Sequence, residues 1–575
     1  MGKIIIACRA SKTSPRFHFF KYVVGLVARK RVWYLTATLV ACIATGVLIR
    51  FWNADLEPKL FSCFPLRMNR LEKVTPAPHS PTGTQQPWRD RNSSPWQDSE
   101  EVKTLKELIA WPEPQGSPTF NSSTSPQNCD YRILKPRASY FVGETLELLL
   151  TARDHRNRPK SYGGDFFLAK LHSPRLKAGV TGSVKDHQNG TYTVTFLLLW
   201  PGDVEVSIQL IHSSEAVQIL KRLRDTYPDK VYFYGYFRRN GTEERTECNL
   251  DIPQKPVCEY IDPGTGERWV CVRPKWLPCS SLVYHSAGGV RKITSTEDEM
   301  FLNGTLTHPI IEGHLSALHV LDRNSTRGEP RPLVCTPGLP IPNPSGFYFN
   351  DVWMSRVCTG KRFPNPSDMR RCLRGKIVYM FGDSTLRQWW EYLVNVISTL
   401  IQIDLHVEHN SGPLLATDSE DSYLLQYRAH GNPLRMLKYW MADRHYVAND
   451  IDAIGGGPDL VIVLNLWAHF VTYPVDLYIR RLQSIRRAVT DLLQRSPQTT
   501  VIIKSANTGF SMLHGSDWLS LQLDIIMRKM FSGLPVAVID TWQMTSCHYL
   551  KQDLHPGRVI VQNEIDLFLS YICPH

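Results

Sequence analysis

At 575 residues, 42% hydrophobic and 21% charged, the chain is too long for one typical core and too apolar for a disordered or collagenous protein. Its formal charge of +12 invites comparison with nucleic-acid binders, but eight of the basic residues (Lys3, Arg9, Lys12, Arg16, Lys21, Arg29, Lys30 and Arg31) lie in residues 1–31, which contain no acid. No basic face with interleaved aromatics or a reading helix follows, which argues against a nucleic-acid partner.

Directly after Arg31 comes VWYLTATLVACIATGVLI, Val32 to Ile49, a run without charge. As a helix it would be about 27 Å long, close to the roughly 30 Å of a bilayer's hydrocarbon core. Trp33, Tyr34 and Trp52 stand where interfacial aromatics belong. The basic flank precedes the span, so residues 1–31 are expected to be a cytosolic tail, 32–52 a signal anchor and the remainder luminal or extracellular. The alternative is a cleaved signal peptide, for which both tail and span are long.

A luminal chain should carry N-glycosylation acceptors on that side alone. Six triplets follow the span, at Asn92, Asn121, Asn189, Asn240, Asn303 and Asn324, and none precedes it. Of thirteen cysteines, all but Cys8 and Cys42 follow the span, and an oxidising compartment predicts that most of them pair. Their odd number leaves a thiol over; Cys63, in a linker, is the candidate to stay free or to bridge two chains as a disulfide-linked dimer. Cys248, Cys258, Cys271 and Cys279 lack the short spacing of a structural zinc site, so no metal is expected.

Residues 53–127 are rich in Pro, Ser and Thr, as in TPAPHSPTGTQQPW, and read as a stem with one short candidate helix near SEEVKTLKELIAW. From Cys129 to His212, ASYFVGETLELLLTARD, GDFFLAKL, GVTGSVKDHQNGTYTVTFLLLW and GDVEVSIQLIH alternate with period two between Gly/Asn/Asp turns. That pattern predicts a β-sandwich of the immunoglobulin or filamin kind. Residues 213–365 read as a disulfide-stapled, loop-rich extension, giving a region of 128–365. After Lys376 the character changes. KIVYMFGD, DLVIVLNLW, TTVIIKSAN and PVAVIDTW are Val/Ile-rich runs separated by the helical patterns STLRQWWEYLVNVIS, YPVDLYIRRLQSIRRAVTDLLQRS and SDWLSLQLDIIMRKMF. Residues 366–575 are therefore expected to form a three-layer α/β domain, with ligands at the carboxyl ends of its strands.

Three chemical groups fall at such ends: Ser384 in GDS, Asn465 in VLNLWAHF and His555 in KQDLHPG. Acyl transfer needs a hydroxyl nucleophile, a base, a group orienting the base and oxyanion donors, and these residue types suit those tasks. Helix-start chemistry explains GDST equally well, because Thr385 with Gln388 three residues on fits a capping box. Neither a phosphate-binding glycine loop nor a metal cluster is visible.

Strand-GDS, a later strand ending in asparagine, and Asp and His near the C-terminus resemble the GDSL/SGNH hydrolases. FGDSTLRQWW and NLWAHF are similar to their PC-esterase branch, and the preceding sandwich with its cysteine-rich part resembles neurexophilin. The combination resembles the neurexophilin and PC-esterase domain (NXPE) family over residues 100–575. The resemblance implies Ser384 as nucleophile, His555 as general base and Asn465 as oxyanion donor. The family pattern has aspartate three residues before histidine; here that position is Gln552 and the aspartate is Asp553, one residue closer, with Asp540 as the alternative orienter. A guess for a further oxyanion donor is Gly412.

By that resemblance the chain is expected to be a single-pass type II Golgi membrane protein with a luminal catalytic domain, and also to be secreted after cleavage. Its expected activity is a luminal glycan O-acyltransferase or esterase, foremost acetyl transfer to sialic acid on glycoproteins through an acyl-serine. No bound cofactor is implied, and acetyl-CoA is the expected acyl donor. The competing expectation is a catalytically decayed, neurexophilin-like binding glycoprotein.

Overall fold

Alternation between strand faces organises everything after residue 128. In the computed structural model, which describes residues 99–573 except 115, 117–118, 254, 303–308, 314–317, 323–332, 408–409, 436–437 and 513–514, Thr145–Thr151 buries Leu146, Leu148 and Leu150 and turns the intervening residues outward. The tail, the Val32–Ile49 span, Cys63, Asn92, Asn303 and Asn324 lie outside the described residues. Among those described, no helix is long and apolar enough to cross a membrane. The acceptor residues Asn121, Asn189 and Asn240 are all exposed.

The sandwich joins a four-stranded sheet, in the order Asp130–Ile133, Thr145–Thr151, Thr191–Leu197, Ser183–Asp186, to a seven-stranded sheet built around Phe166–Ser173 and Gly202–His212. Leu148, Leu150, Val194 and Phe196 from the first share one core with Phe167, Leu171, Ile208 and Leu210 from the second. Two late strands, Gly346–Phe349 and Val352–Ser355, extend the larger sheet.

The stretch after residue 213 differs from the loop-rich expectation. It forms a six-stranded sheet ordered Val257–Ile261, Arg268–Val272, Thr242–Asn249, Val231–Arg239, Leu282–Val290, Tyr439–Trp440. The cue is present in VYFYGYFRRNGTEERTECN: buried Phe233 and Phe237 alternate with outward tyrosines, and Asn240–Gly241 makes the turn with φ of 49° and 80°. Both positive φ values are what a two-residue hairpin needs. The last strand comes from the α/β region, so the two regions share a sheet.

Disulfides join Cys248–Cys271, Cys258–Cys279, Cys335–Cys358 and Cys372–Cys573. Among the described residues two cysteines, Cys129 and Cys547, stay unpaired where the odd count predicts one spare thiol, while Cys63 lies outside the described residues. Each is sealed in a core, and burial pushes both thiols up to about 12.

The α/β sheet has seven strands, ordered Ile401–Ile403, Leu414–Asp418, Tyr423–Ala429, Ile377–Gly382, Leu460–Asn465, Thr500–Lys504, Ala537–Ile539. The last five run parallel, and the first two complete an antiparallel edge. All four expected strands are present. Val378, Met380, Val461 and Val463 pack with Leu386, Trp389 and Leu393 of helix Ser384–Val396 and with Ile565 and Phe568 of the last helix, Arg558–Ile572. Phe381, Ile462, Leu464, Val501 and Ile503 pack on the other face against the long helix Val475–Arg495 and the helix Asp517–Met530. Three layers result, with Ile377–Gly382 central.

The short helix Glu100–Leu108, read from sequence as part of the stem, packs into this body. Leu105 is buried, Lys106 pairs with Asp476 at 2.8 Å, and the Trp111 indole donates to the Gly164 carbonyl at 2.7 Å. The described residues belong to one compact unit.

Candidate functional site

The central strand ends at Gly382, where a Cβ would lie 2.4 Å from the Asn465 carbonyl oxygen, so only glycine permits this approach. The chain then turns into helix Ser384–Val396. Its cap is Asp383 rather than the expected Thr385: the Asp383 carboxylate accepts from the Thr385 N–H at 2.9 Å and hydroxyl at 2.7 Å. Its other oxygen accepts the Ala468 N–H at 3.0 Å, tying the NLWAHF loop to the serine turn. Ser384 is the first helical residue and partly exposed, and its backbone N–H has no carbonyl partner among the described residues. A free N–H at a helix N-terminus can donate to an anion.

The Ser384 hydroxyl lies 2.8 Å from Nε2 of His555, 171 residues away in sequence. The histidine loop is held at three points. Asn507 donates to the Leu554 carbonyl at 3.0 Å, Gln388, one turn along the serine's own helix, donates to the Pro556 carbonyl at 2.8 Å, and the backbone of Asp553 rests on Gly509, whose φ is +94°. Sequence reasoning missed Asn507 and Gly509, and it assigned Gln388 to a capping box, whereas its amide instead holds the histidine loop. Asn507 lies three residues past a strand end, the position at which functional side chains were sought.

The other expected residues are arranged differently around this pair. Asn465 is fully buried. Its amide donates to the carbonyls of Lys504 at 3.1 Å and Ser505 at 3.3 Å, and its oxygen accepts from the Thr385 hydroxyl at 3.2 Å. Both amide hydrogens are thus committed to the neighbouring strand end, and Asn465 fastens the serine turn rather than facing the hydroxyl. Asp553 accepts the backbone N–H of His555 at 3.0 Å, a two-residue loop that its position two before the histidine favours and that keeps it off the ring. Nδ1 of His555 has no hydrogen-bond partner among the described residues. Asp540 caps the helix Thr541–Ser546 and pairs with Arg528 at 2.8 Å. Gly412 lies against the Tyr427 carbonyl, where its φ of +79° and lack of a Cβ make the turn possible.

Two further histidines flank the serine turn, and neither was singled out from sequence. His430 follows strand Tyr423–Ala429 and His469 follows Leu460–Asn465; Nε2 of the first is 2.9 Å from Nδ1 of the second. Burial is the main cause that pushes His469 down to about 4, against the opposing pull of the Asp383 carboxylate. Burial, His469 and Arg481 push His430 far below its ordinary value, so the pair is neutral at physiological pH. Cys248, Cys271 and His285 also converge, but their two sulfurs are joined to each other and are not open to a metal.

A serine hydroxyl on an imidazole, at a helix N-terminus with a free N–H, can attack a carbonyl and hold the resulting oxyanion. Residues 353–573 match the model for the C-terminal domain of NXPE family member 4-like proteins, and residues 99–300 match the neurexophilin model. The chain belongs to the NXPE family. Its two matched segments cover the sandwich with its cysteine-rich sheet and the α/β region. Among solved structures, an active-site mutant of a family two carbohydrate esterase from Clostridium thermocellum is similar at 8% identity, over 78% of this chain and 96% of that one, with a TM-score of 0.19. Invasin, a bacterial integrin-binding protein, is similar at 9% identity, over 54% and 60%, with a TM-score of 0.13. Superpositions this loose define no fold for this NXPE chain.

Proposed function

We propose that the protein is a serine-dependent glycan O-acyltransferase or esterase of the SGNH kind, foremost one that moves an acetyl group to sialic acid on glycoproteins. The observation that carries this reading is the 2.8 Å contact between the Ser384 hydroxyl and His555 Nε2. His555 takes the Ser384 proton as the oxygen attacks the acyl carbonyl, the Ser384 N–H steadies the oxyanion, and the donor's leaving group takes the proton. A sugar hydroxyl then attacks the acyl-serine in transfer, or water attacks it in hydrolysis. Acetyl-CoA is the proposed donor. A type II anchor in the Golgi membrane would set this chemistry beside passing glycoproteins.

One observation favours a second reading, a binding glycoprotein without catalysis: the ring nitrogen Nδ1 of His555 lacks the carboxylate that ordinarily stabilises the imidazolium. Expression in cells devoid of glycan O-acetylation, with mass spectrometry of acetylated sialic acids, separates the two. The enzyme reading expects signal from the wild type and none from Ser384→Ala. Equal signal from both removes Ser384 from the mechanism, and silence from both supports the binding protein.

A further inference from the structure

Arg481 sits on the long helix Val475–Arg495 with no exposed side-chain surface, and four hydrogen bonds leave its guanidinium. One goes from Nη2 to Glu267 Oε2 at 2.6 Å, and a closer one goes from Nε to the other oxygen of that carboxylate. Nη1 donates to the His430 carbonyl at 2.6 Å and Nη2 to the Asn432 carbonyl at 2.5 Å. Glu267 belongs to the neurexophilin-matching part, 214 residues earlier in the chain. It closes the turn between Val257–Ile261 and Arg268–Val272, two strands that the Cys248–Cys271 and Cys258–Cys279 bridges tie to their surroundings.

The chain of contacts continues to the nucleophile. His430 meets His469 at 2.9 Å, and Ala468, next to His469, donates to the Asp383 carboxylate beside Ser384. A buried guanidinium is tolerated only when paired, and this one takes its direct ion pair from Glu267, with Asp262 adding negative charge nearby. Its other two hydrogen bonds clamp the backbone of residues 430–432, which have no regular secondary structure of their own.

We infer that Glu267 is a positioning residue for the Ser384 site: through Arg481 it fixes the His430–Asn432 loop, and with it the His430–His469 wall beside the nucleophile. The neurexophilin-matching part then completes the α/β region's site instead of forming a separate module. This inference rests on the reading of Ser384 as a nucleophile.

The test measures the rate at which a fluorophosphonate probe labels Ser384 in the complete chain, with Ser384→Ala as the blank. Glu267→Gln is expected to slow labelling roughly 10- to 100-fold, the scale of a misplaced catalytic wall. Glu267→Asp, which keeps the counter-charge, is expected to lose less than Glu267→Gln. A role in shape alone predicts the reverse, because glutamine is the closer isostere. The double variant Glu267→Gln/Arg481→Met removes the stranded charge, so it should regain thermal stability without regaining labelling. Wild-type rates in a folded Glu267→Gln, or labelling that returns with stability in the double variant, overturn the inference while leaving Ser384 as nucleophile. Absence of wild-type labelling removes the nucleophile and this inference with it.

Discussion

The two sides of the candidate site are built to different standards. On the serine side, Asp383 accepts three hydrogen bonds, Asn465 makes three through its side chain, and the Asp383 N–H bonds the Asn465 carbonyl at 3.2 Å, all in a fully buried setting. On the histidine side, His555 is exposed, its loop hangs from Asn507 and Gln388, and the one ring hydrogen bond among the described residues is to the serine. Preorganisation is thus concentrated around Ser384 and its backbone N–H. His555 is positioned by its loop backbone, with no carboxylate bonded to its ring among the described residues.

The largest effect belongs to the base. His555→Ala is expected to slow Ser384 labelling about 10³-fold, on the order of 4 kcal/mol of barrier, with an unchanged melting temperature because the side chain is exposed. A loss below tenfold in stopped assays would mean that the serine side reacts unaided. Acid is the next lever. His469 falls from 6.5 in the unfolded chain to about 4 in the folded one, and His430 is likewise pushed well below its ordinary value. Folding therefore favours the neutral rings: their stabilisation is complete above about pH 6.5 and is lost as pH drops toward 4. For His469 the loss is on the order of 3 kcal/mol, and urea unfolding at stepped pH should show stability declining through that window. The double variant His430→Asn/His469→Gln should flatten the decline.

What the sequence disclosed follows the same division. The strand runs, Ser384 and His555 are legible because continuous Val/Ile stretches mark parallel strands and chemistry gathers at their ends. The turn residue Asp383 reads as an ordinary Gly-Asp turn, and only the fold reveals that its second oxygen reaches Ala468. Asn465 is at the expected strand end, but the direction of an amide there depends on the carbonyls of Lys504 and Ser505, from a strand far along the chain. His430, His469 and Arg481 are illegible for another reason: the two histidines meet across 39 residues and Arg481 meets Glu267 across 214, and no local period encodes such contacts.

Asn465 tests whether the serine side is a framework. Asn465→Ala leaves the Lys504 and Ser505 carbonyls and the Thr385 hydroxyl without their buried partner, and should cost about 2 kcal/mol in urea unfolding. Labelling of the fraction that stays folded should fall by less than the loss for His555→Ala. The opposite order, intact stability with labelling abolished, would make Asn465 an oxyanion donor after all. Gln388→Ala probes the tether on the other side. Loss of the bond to the Pro556 carbonyl frees one anchor of the histidine loop, with about a tenfold fall in labelling expected and little change in melting.

The smallest effect should come from Asp553, and it decides how the histidine works. In a triad with the carboxylate on the imidazole, exchange of that aspartate for asparagine costs about 10⁴ in rate, because the ring loses its tautomer and its counter-charge. Here the Asp553 carboxylate accepts the backbone N–H of His555, a bond that an asparagine side-chain oxygen makes equally well. Asp553→Asn should therefore label within about threefold of the wild type, on that geometric equivalence. A loss near 10⁴ would require Asp553 to leave the backbone and swing to Nδ1 during reaction, and the histidine side would then be assembled only on binding the acyl donor.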